Sequence, residues 1–388
     1  MGSETRFTVV GAGHGGKAMA ADLAAKGFPV CLYNRSMERI QEIAARGMIE
    51  VEYESGATRG CRLHTVTSHI EEALDGADVV MVAVPASGHR DIARLCAPHL
   101  QDGQMVILHP GRTGGVLEFY QIIRHEGCET DVIIAEASTF IFACRSTGPA
   151  QVSIFRRKNT VPLAALPATR TGHVLEAICQ AYPQFIPAPN VLHTSLDNMG
   201  AIFHPAITLL NAGWIESTKG DFQFYIDGVT PSTAQVLEEL DRERVTIAAA
   251  LGLNTRSALR WLEDAYSASG LTLHEAIQAN PGYRGIKAPR SLQHRYIYED
   301  VPFSLVPLAS LGTQFGVDTW AADAMIRLAC VVHGTNYYAH GRNVRDMGLE
   351  GLRVTEVLRY VEEGRVRSGQ APWGAASKAH RSRMPSPA

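Results

Sequence analysis

Residues 6–19, RFTVVGAGHGGKAM, set Gly11, Gly13 and Gly16 at the end of a β-branched run and the start of a helical pattern. Few features constrain a fold more tightly. In a G-x-G-x-x-G spacing the first glycine permits a tight turn, the second lets the backbone approach a pyrophosphate, and the third lets the helix pack on its strand. A glycine pattern alone is weak, because ordinary turns often produce it. Here it lies between a strand and a helix at the head of an alternating β/α region, and the N–H groups of such a helix N-terminus are ready anion donors. The segment reads as a dinucleotide site in which Gly11, Gly13, His14, Gly15 and Gly16 contact the cofactor.

The alternation continues. HGGKAMAADLAAKG is a helix capped at Gly27, PVCLYNR a second strand, MERIQEIAARG a second helix, and ADVVMVAVP, QMVILHPG and DVIIAEAST are further apolar strands. Such alternation implies a parallel sheet with helices on both faces. PQFIPAPN at 183–190 holds three prolines and marks a boundary. Beyond it, TAQVLEELDRERVTIAAALGL, TRSALRWLEDAYSAS and DTWAADAMIRLACVVHG carry apolar residues at helical spacing. The expected architecture is an α/β Rossmann-type N-terminal domain over 1–188, followed by a mostly α-helical C-terminal domain over 189–368, a 6-phosphogluconate dehydrogenase-like arrangement. The tail 369–388 is small, polar and basic and is expected to be disordered.

A net charge of −3 and 19% charged residues argue against a nucleic-acid partner, which would need a basic face. No apolar run approaches the roughly 20 residues of a membrane span, and the chain enters a strand at once, leaving no room for a signal peptide. Seven scattered cysteines without a CxxC pair read as reduced thiols of a cytoplasmic protein, with no metal framework.

The end of the second strand should carry Asp or Glu if the cofactor is NAD(H), to bond the ribose hydroxyls. It carries Asn34, Arg35 and Ser36 instead. An acid would repel a 2′-phosphate, whereas Arg35 can pair with one and Ser36 can bond it. NADP(H) is therefore favoured and NAD(H) stays open; a solvated arginine beyond a strand end is the bland alternative. Val84 and Pro85 end another strand at the carboxyl edge, where ligands of such folds bind. LHPGRTGG at 108–115 would hold backbone donors near the nicotinamide, and AEASTFIFACR at 135–145 would put Thr139 near a substrate carboxylate. Either could be only a loop.

His204 lies within an apolar helical run, DNMGAIFHPAITLLNAGWIE. A histidine there is more often structural than catalytic. Reductases of this architecture often use a lysine on the first helix of the second domain, but this helix has none and Lys219 comes only after it. His204 is then the good candidate for a proton donor on that helix, since an unperturbed imidazole, with a pKa of about 6.5, suits both giving and taking a proton. The same segment bears Asn198, Asn211 and Glu216, much polarity for a core helix. Arg295 and Asp300 lie five positions apart in an aromatic-rich stretch. An aspartate can fix a histidine's tautomer and an arginine can grip a carboxylate.

Five segments resemble the opine dehydrogenases of the octopine and nopaline dehydrogenase group. They are NMGAIFHPAITLLNAGWIE, FYIDGVTPS, LDRERVTIAAALGL, RYIYEDVPFSLVPLASLG and GRNVRDMGLEGL, in that family's order. The resemblance runs from about residue 6 to about 365. It puts His204 on the family's catalytic histidine, Arg295 and Asp300 on its partners, and Thr139 in its keto-acid loop, with Asn198 and Tyr225 as further substrate contacts. Ser304 stands where a glycine is expected in many relatives. The implied reaction is reductive condensation. An L-amino acid and a 2-oxo acid such as pyruvate form an imine that NAD(P)H reduces, so the enzyme acts on a CH–NH bond. A homodimer is compatible with an apolar helical domain of this size. Two other readings stand beside it: a ketopantoate reductase-like 2-oxo acid or hydroxyacid reductase, and a non-catalytic nucleotide-binding sensor.

Overall fold

Continuous apolar runs form strands buried on both faces, and FTVV does so as β1 (Phe7–Val10), all four residues of which are buried. The structure, a computed structural model, describes residues 5–365. The other strands are β2 (Val30–Tyr33), β3 (Met48–Tyr53), β4 (Thr58–Arg62), β5 (Thr65–Thr67), β6 (Val79–Val82), β7 (Met105–Leu108), β8 (Ile133–Ala137), β9 (Phe142–Gly148), β10 (Gln151–Arg157), β11 (Val161–Leu166) and β12 (Phe185–Pro187). Eight of them make one sheet in the order β12-β11-β8-β7-β6-β1-β2-β5. It is parallel except where β11 runs against β8. Chain order reverses at β1, which pairs with β2 on one side and β6 on the other. The register aligns Val10 with Tyr33 and with Val82, so Gly11, Asn34 and Ala83 leave the sheet along one carboxyl edge. That edge, at a reversal of strand order, is where open α/β sheets bind ligands.

The first helix, His14–Ala25, is buried from Gly16 to Leu23 rather than along one stripe. The reason is a second sheet, β4-β3-β10-β9. The helix packs against strands of both sheets, and its run of alanines keeps it slim enough to fit. Its buried Asp22 pairs with Arg157 of β10 at 2.6 Å and with Lys26 at 3.0 Å, which satisfies a charge that would otherwise be costly there. The four-stranded sheet went unread in the sequence, because its strands carry charged and exposed positions. The segment expected as one second helix is instead a 3₁₀ turn, Met37–Arg39, and a short helix, Gln41–Arg46, closed by Gly47 at φ +62°.

The chain forms two compact units. Among the described residues, one contains 5–111, Gly115–Thr194 and 355–365; the other contains Arg112–Gly114 and Ser195–Val354. The division thus falls at 194/195 rather than 188/189, and most of the helix Val354–Glu363 belongs with the sheets, where Tyr360 accepts a hydrogen bond from Gln121 Nε2 at 2.9 Å. The tail expectation for 369–388 lies outside the described residues.

The second unit is helical, apart from one isolated bridge, Gln223 to Lys287. Its longest helix, Pro231–Ala250, starts with Thr230 as N-cap and Pro231 in the first turn, where a missing N–H costs nothing. The buried Glu243 on this helix accepts from Ala321 N at 2.7 Å and Ala322 N at 3.0 Å. It thereby caps the helix Trp320–His333 from a neighbouring element. Among the described residues no helix is long and apolar enough to cross a membrane.

Candidate active site and dinucleotide site

His204 sits on the helix Met199–Leu210, which runs on through Pro205. Proline has no N–H to give Ala201, so the helix lacks one internal bond a turn ahead of the histidine. His204 Nδ1 lies 2.9 Å from Asp300 Oδ2. Its ring stacks on Tyr296, with centroids 4.1 Å apart and planes 19° apart. The Asp300 carboxylate is fully buried. Burial by itself would push this carboxyl up, but the charge of Arg112, the charge and hydrogen bond of His204, and Arg295 more than offset it, holding the group below the usual carboxylate range. An ionised carboxylate only accepts, so Nδ1 carries the hydrogen and Nε2 is left as the proton-accepting nitrogen of the neutral ring.

Sequence reasoning missed Arg112. It lies in the loop after β7 at φ +60°, a left-handed conformation rarely held without compensation by a residue other than glycine. The compensation is electrostatic. Arg112 Nη1 lies 3.2 Å from Asp300 Oδ1, and Nε lies 3.3 Å from Glu299 Oε1. Burial disfavours the guanidinium's charge, and Asp300 and Glu299 restore it, so the net shift is upward. Arg295 does not touch Asp300. Its Nε pairs with Glu299 Oε2 at 3.1 Å, and its side chain is half-exposed. Arg295 and Asp300 are instead linked through a chain: Arg295, Glu299, Arg112, Asp300, His204. Four-residue spacing on a helix brings side chains together and five-residue spacing does not, so Glu299 rather than Asp300 meets Arg295.

The local backbone explains how Arg112 is held. Residues Val301–Leu305 form a π-helical turn in which Val306 N–H reaches back to Val301 O. Pro307 has no N–H, so the Phe303 carbonyl has no helical donor and accepts Thr113 N–H at 3.3 Å. The Pro302 carbonyl, bypassed by the same wide turn, accepts Arg342 N–H at 2.9 Å. Thr113 Oγ1 donates to Ser195 O at 3.2 Å, and Gly114 N–H to Ser195 Oγ at 3.0 Å. Two backbone donors of LHPGRTGG, the loop expected to face a nicotinamide, are thus engaged within the protein. Asn198 is engaged too: Nδ2 donates to Ser304 Oγ at 2.9 Å and to Thr113 Oγ1 at 3.3 Å. Ser304, where a glycine was expected, is an acceptor in this network. A Cβ on Gly200 would lie 2.6 Å from Arg112 Nη1 and 3.3 Å from His204 Nδ1, so only glycine leaves room there. Tyr225 is buried, stacked on Tyr283 at 4.0 Å.

In the first unit, a Cβ on Gly11 would strike Ala83 O at 2.9 Å, and one on Gly16 would meet Gly11 O at 1.7 Å. Gly13 is different: nothing lies within 4 Å of its Cβ position, so the space its missing side chain leaves faces outward. Those are the roles a dinucleotide fingerprint needs, a tight turn, a close helix and an open approach. The first turn has no acidic residue and no side-chain cap. The residues present therefore fit a pyrophosphate at the N–H groups of that turn. Asn34 Oδ1 accepts from Ala12 N–H at 3.2 Å, and Arg35 reaches Asp91 at 3.5 Å, both partners exposed. Thr139 Oγ1 accepts from Lys158 Nζ at 2.6 Å. All seven cysteines are free, and among the described residues no cluster of His, Cys, Asp or Glu could hold a metal ion.

A family model described as NAD/NADP octopine/nopaline dehydrogenase, alpha-helical domain, matches residues 187–333, and one for the NAD-dependent glycerol-3-phosphate dehydrogenase N-terminus matches residues 6–129. The opine dehydrogenase of Arthrobacter sp. (strain 1C) is 42% identical over 356 residues, covering 92% of this chain and 98% of its own length. The chain belongs to the opine dehydrogenase family. Among solved structures, octopine dehydrogenase in complex with NADH and agmatine superposes with a TM-score of 0.76 at 21% identity, over 91% of this chain and 98% of that one. Yersinopine dehydrogenase with NADP+ bound gives 0.75 at 16% identity, over 90% and 98%. At those identities the likeness shows the fold. For this opine dehydrogenase family member the Rossmann-type first domain and helical second domain agree with the sequence reading.

The signals for Arg112 and Gly200 were present but unreadable in one sequence. An arginine between glycines in PGRTGG and a glycine four residues before His204 have many bland explanations. Only the fold sets both beside Asp300 and His204.

Proposed function

We propose that this chain catalyses the NADP(H)-dependent reductive condensation of an L-amino acid with a 2-oxo acid such as pyruvate, and the reverse oxidation. The observation that carries the proposal is the His204–Asp300 contact at 2.9 Å, with Arg112 on the far oxygen of the same carboxylate. NADPH, when bound on the fingerprint, supplies the hydride. His204 Nε2 gives and takes the proton at the carbonyl or imine, while Asp300 fixes the tautomer and stabilises the imidazolium as it forms. Arg295, half-exposed and tied to Glu299 through Nε, presents its outer nitrogens to a substrate carboxylate. Thr139 orients the keto acid. Asn198 and Tyr225, whose contacts are within the protein, act by positioning rather than by direct touch. The preference for NADP(H) is supported by Asn34 in place of a carboxylate at the end of β2 and by Arg35 and Ser36 after it. Seven free thiols suit a reducing cytoplasm.

The test is an NADPH-oxidation screen pairing pyruvate, glyoxylate and 2-oxoglutarate with each amino acid, with product masses measured and hits repeated with NADH. A secondary amine dicarboxylate is the expected product. Oxidation by the keto acid with no amino acid present would instead support the 2-oxo acid reductase reading, and no oxidation with either cofactor would overturn both.

A further inference from the structure

Lys17 lies one turn inside the first helix and is 6% exposed, yet no carboxylate touches it. Its Nζ donates to Ser146 Oγ at 3.0 Å and to Gly148 O at 3.0 Å, both on β9 of the four-stranded sheet. Burial pulls its ammonium below the ordinary lysine value, and the more distant Glu42 only partly restores it. A buried cation with neutral partners alone is an expensive arrangement, unless an anion completes it.

The space beside it is suited to one. A cavity of about 330 Å³ is lined by Ala12, Gly13, His14, Lys17, Arg39 and Ser146. Arg39 is exposed and has no ion-pair partner among the described residues. His14 Nδ1 accepts Ser146 N–H at 2.9 Å, which puts the hydrogen of the neutral ring on Nε2. Two cations, an imidazole donor and the positive end of a helix dipole thus line one cavity that no carboxylate lines.

Position within the fold says which anion. The fingerprint N–H groups serve a pyrophosphate, whereas the ribose of a dinucleotide lies at the end of β2. Asn34 joins these two places: its Oδ1 accepts from Ala12 N–H at 3.2 Å, and its Nδ2 donates to Ser36 O at 2.9 Å. That same Ser36 carbonyl accepts Arg39 N–H at 3.2 Å. The turn bearing Arg39 is therefore laced to the ribose side of the fingerprint. Arg35, by contrast, reaches Asp91, which would compete with a phosphate for it.

The geometry points to a phosphate seat formed by Lys17, Arg39 and His14 and walled by Ser146 of the second sheet, which takes the 2′-phosphate of NADP(H). This assignment rests on the cofactor part of the proposed function and names the groups that carry it. It also gives the four-stranded sheet a role in cofactor binding, since β9 holds Lys17 in place and closes the seat.

Direct binding of NADPH and of NADH, measured by titration calorimetry without substrate, tests it. Arg39→Ala is expected to weaken NADPH binding by about tenfold or more, as loss of a charge-assisted contact implies, and to leave NADH binding within about twofold. Ser146→Ala, which loosens Lys17, should move NADPH in the same direction by less, and Arg35→Ala should have a smaller effect than Arg39→Ala. Because Arg39 is exposed, its replacement does not threaten folding, and a thermal melt of each variant confirms equal fold. An equal loss for NADH and NADPH would place the pyrophosphate at Arg39 and overturn the assignment; no loss for either would overturn it too. The condensation reading fails separately, by absence of turnover with both cofactors.

Discussion

Arg112 and His204 share one carboxylate: Asp300 Oδ1 lies 3.2 Å from Arg112 Nη1, and Oδ2 lies 2.9 Å from His204 Nδ1. The arginine comes from the loop after β7, the histidine from a helix some ninety positions later, and the aspartate from the head of a π-helical turn. Two carboxylates, Asp300 and Glu299, are fully or almost fully buried here, and Arg112 is the cation in contact with both.

Removing that cation should therefore do more than slow the reaction. Arg112→Met strips a counter-charge from each of two buried carboxylates, and urea unfolding should show a loss on the order of 3–5 kcal/mol. Arg112→Lys keeps the charge but cannot fork between Nε and Nη1 positions, so its loss should be intermediate. A methionine variant as stable as the parent would show that the pairing contributes nothing net.

His204→Ala should cut turnover by roughly 10²–10⁴-fold while NADPH binding stays nearly unchanged. Asp300→Asn should also lower kcat, because an amide can donate to Nδ1 and so select the wrong tautomer. Unchanged turnover in the alanine variant would remove the histidine from the mechanism and revive the sensor reading.

Gly200→Ala offers a sign test. In an ordinary helix this change stabilises by about 1 kcal/mol. Here the added Cβ would lie 2.6 Å from Arg112 Nη1, beside a guanidinium pinned by buried acids. The variant should therefore be less stable than the parent and slower in kcat, with KM for NADPH little changed. A stabilised, fully active variant would mean that Arg112 can yield without cost.

His109 should make the protein acid-sensitive. Burial lowers its pKa from 6.5 to about 3, so the unfolded chain binds a proton below 6.5 that the folded chain refuses. Stability is therefore whole above that value and declines as pH falls through the interval, by about 2 kcal/mol at pH 5 for this one group. Asp300, held below the usual carboxylate range, adds a loss only at more acid pH, as its own folded pKa is approached. Urea midpoints for the parent and for His109→Leu between pH 7 and pH 5 check this: the variant's slope should be the flatter one. Parallel slopes would clear His109.

Local signals made the first domain readable. The glycines at 11, 13 and 16, the apolar runs of β1, β6, β7 and β8, and the proline-rich boundary near 190 are short-range features whose physics acts within a few residues. The four-stranded sheet was not readable this way, since its two hairpins, β3–β4 and β9–β10, join only through β3 and β10, roughly a hundred positions apart, and keep exposed charged faces. His204 and Asp300 could be nominated from the chain, and the helical second domain foreseen. Which arginine meets Asp300 could not, because that choice depends on a left-handed residue in a distant loop, a carbonyl freed by Pro307 and the space left by Gly200. Sequence by itself determined the parallel sheet with its fingerprint turn, the helical second domain and the nomination of His204 and Asp300. Tertiary structure decided their partners, since a buried charge takes the counter-charge that packing brings within about 3 Å, however far away in the chain it began.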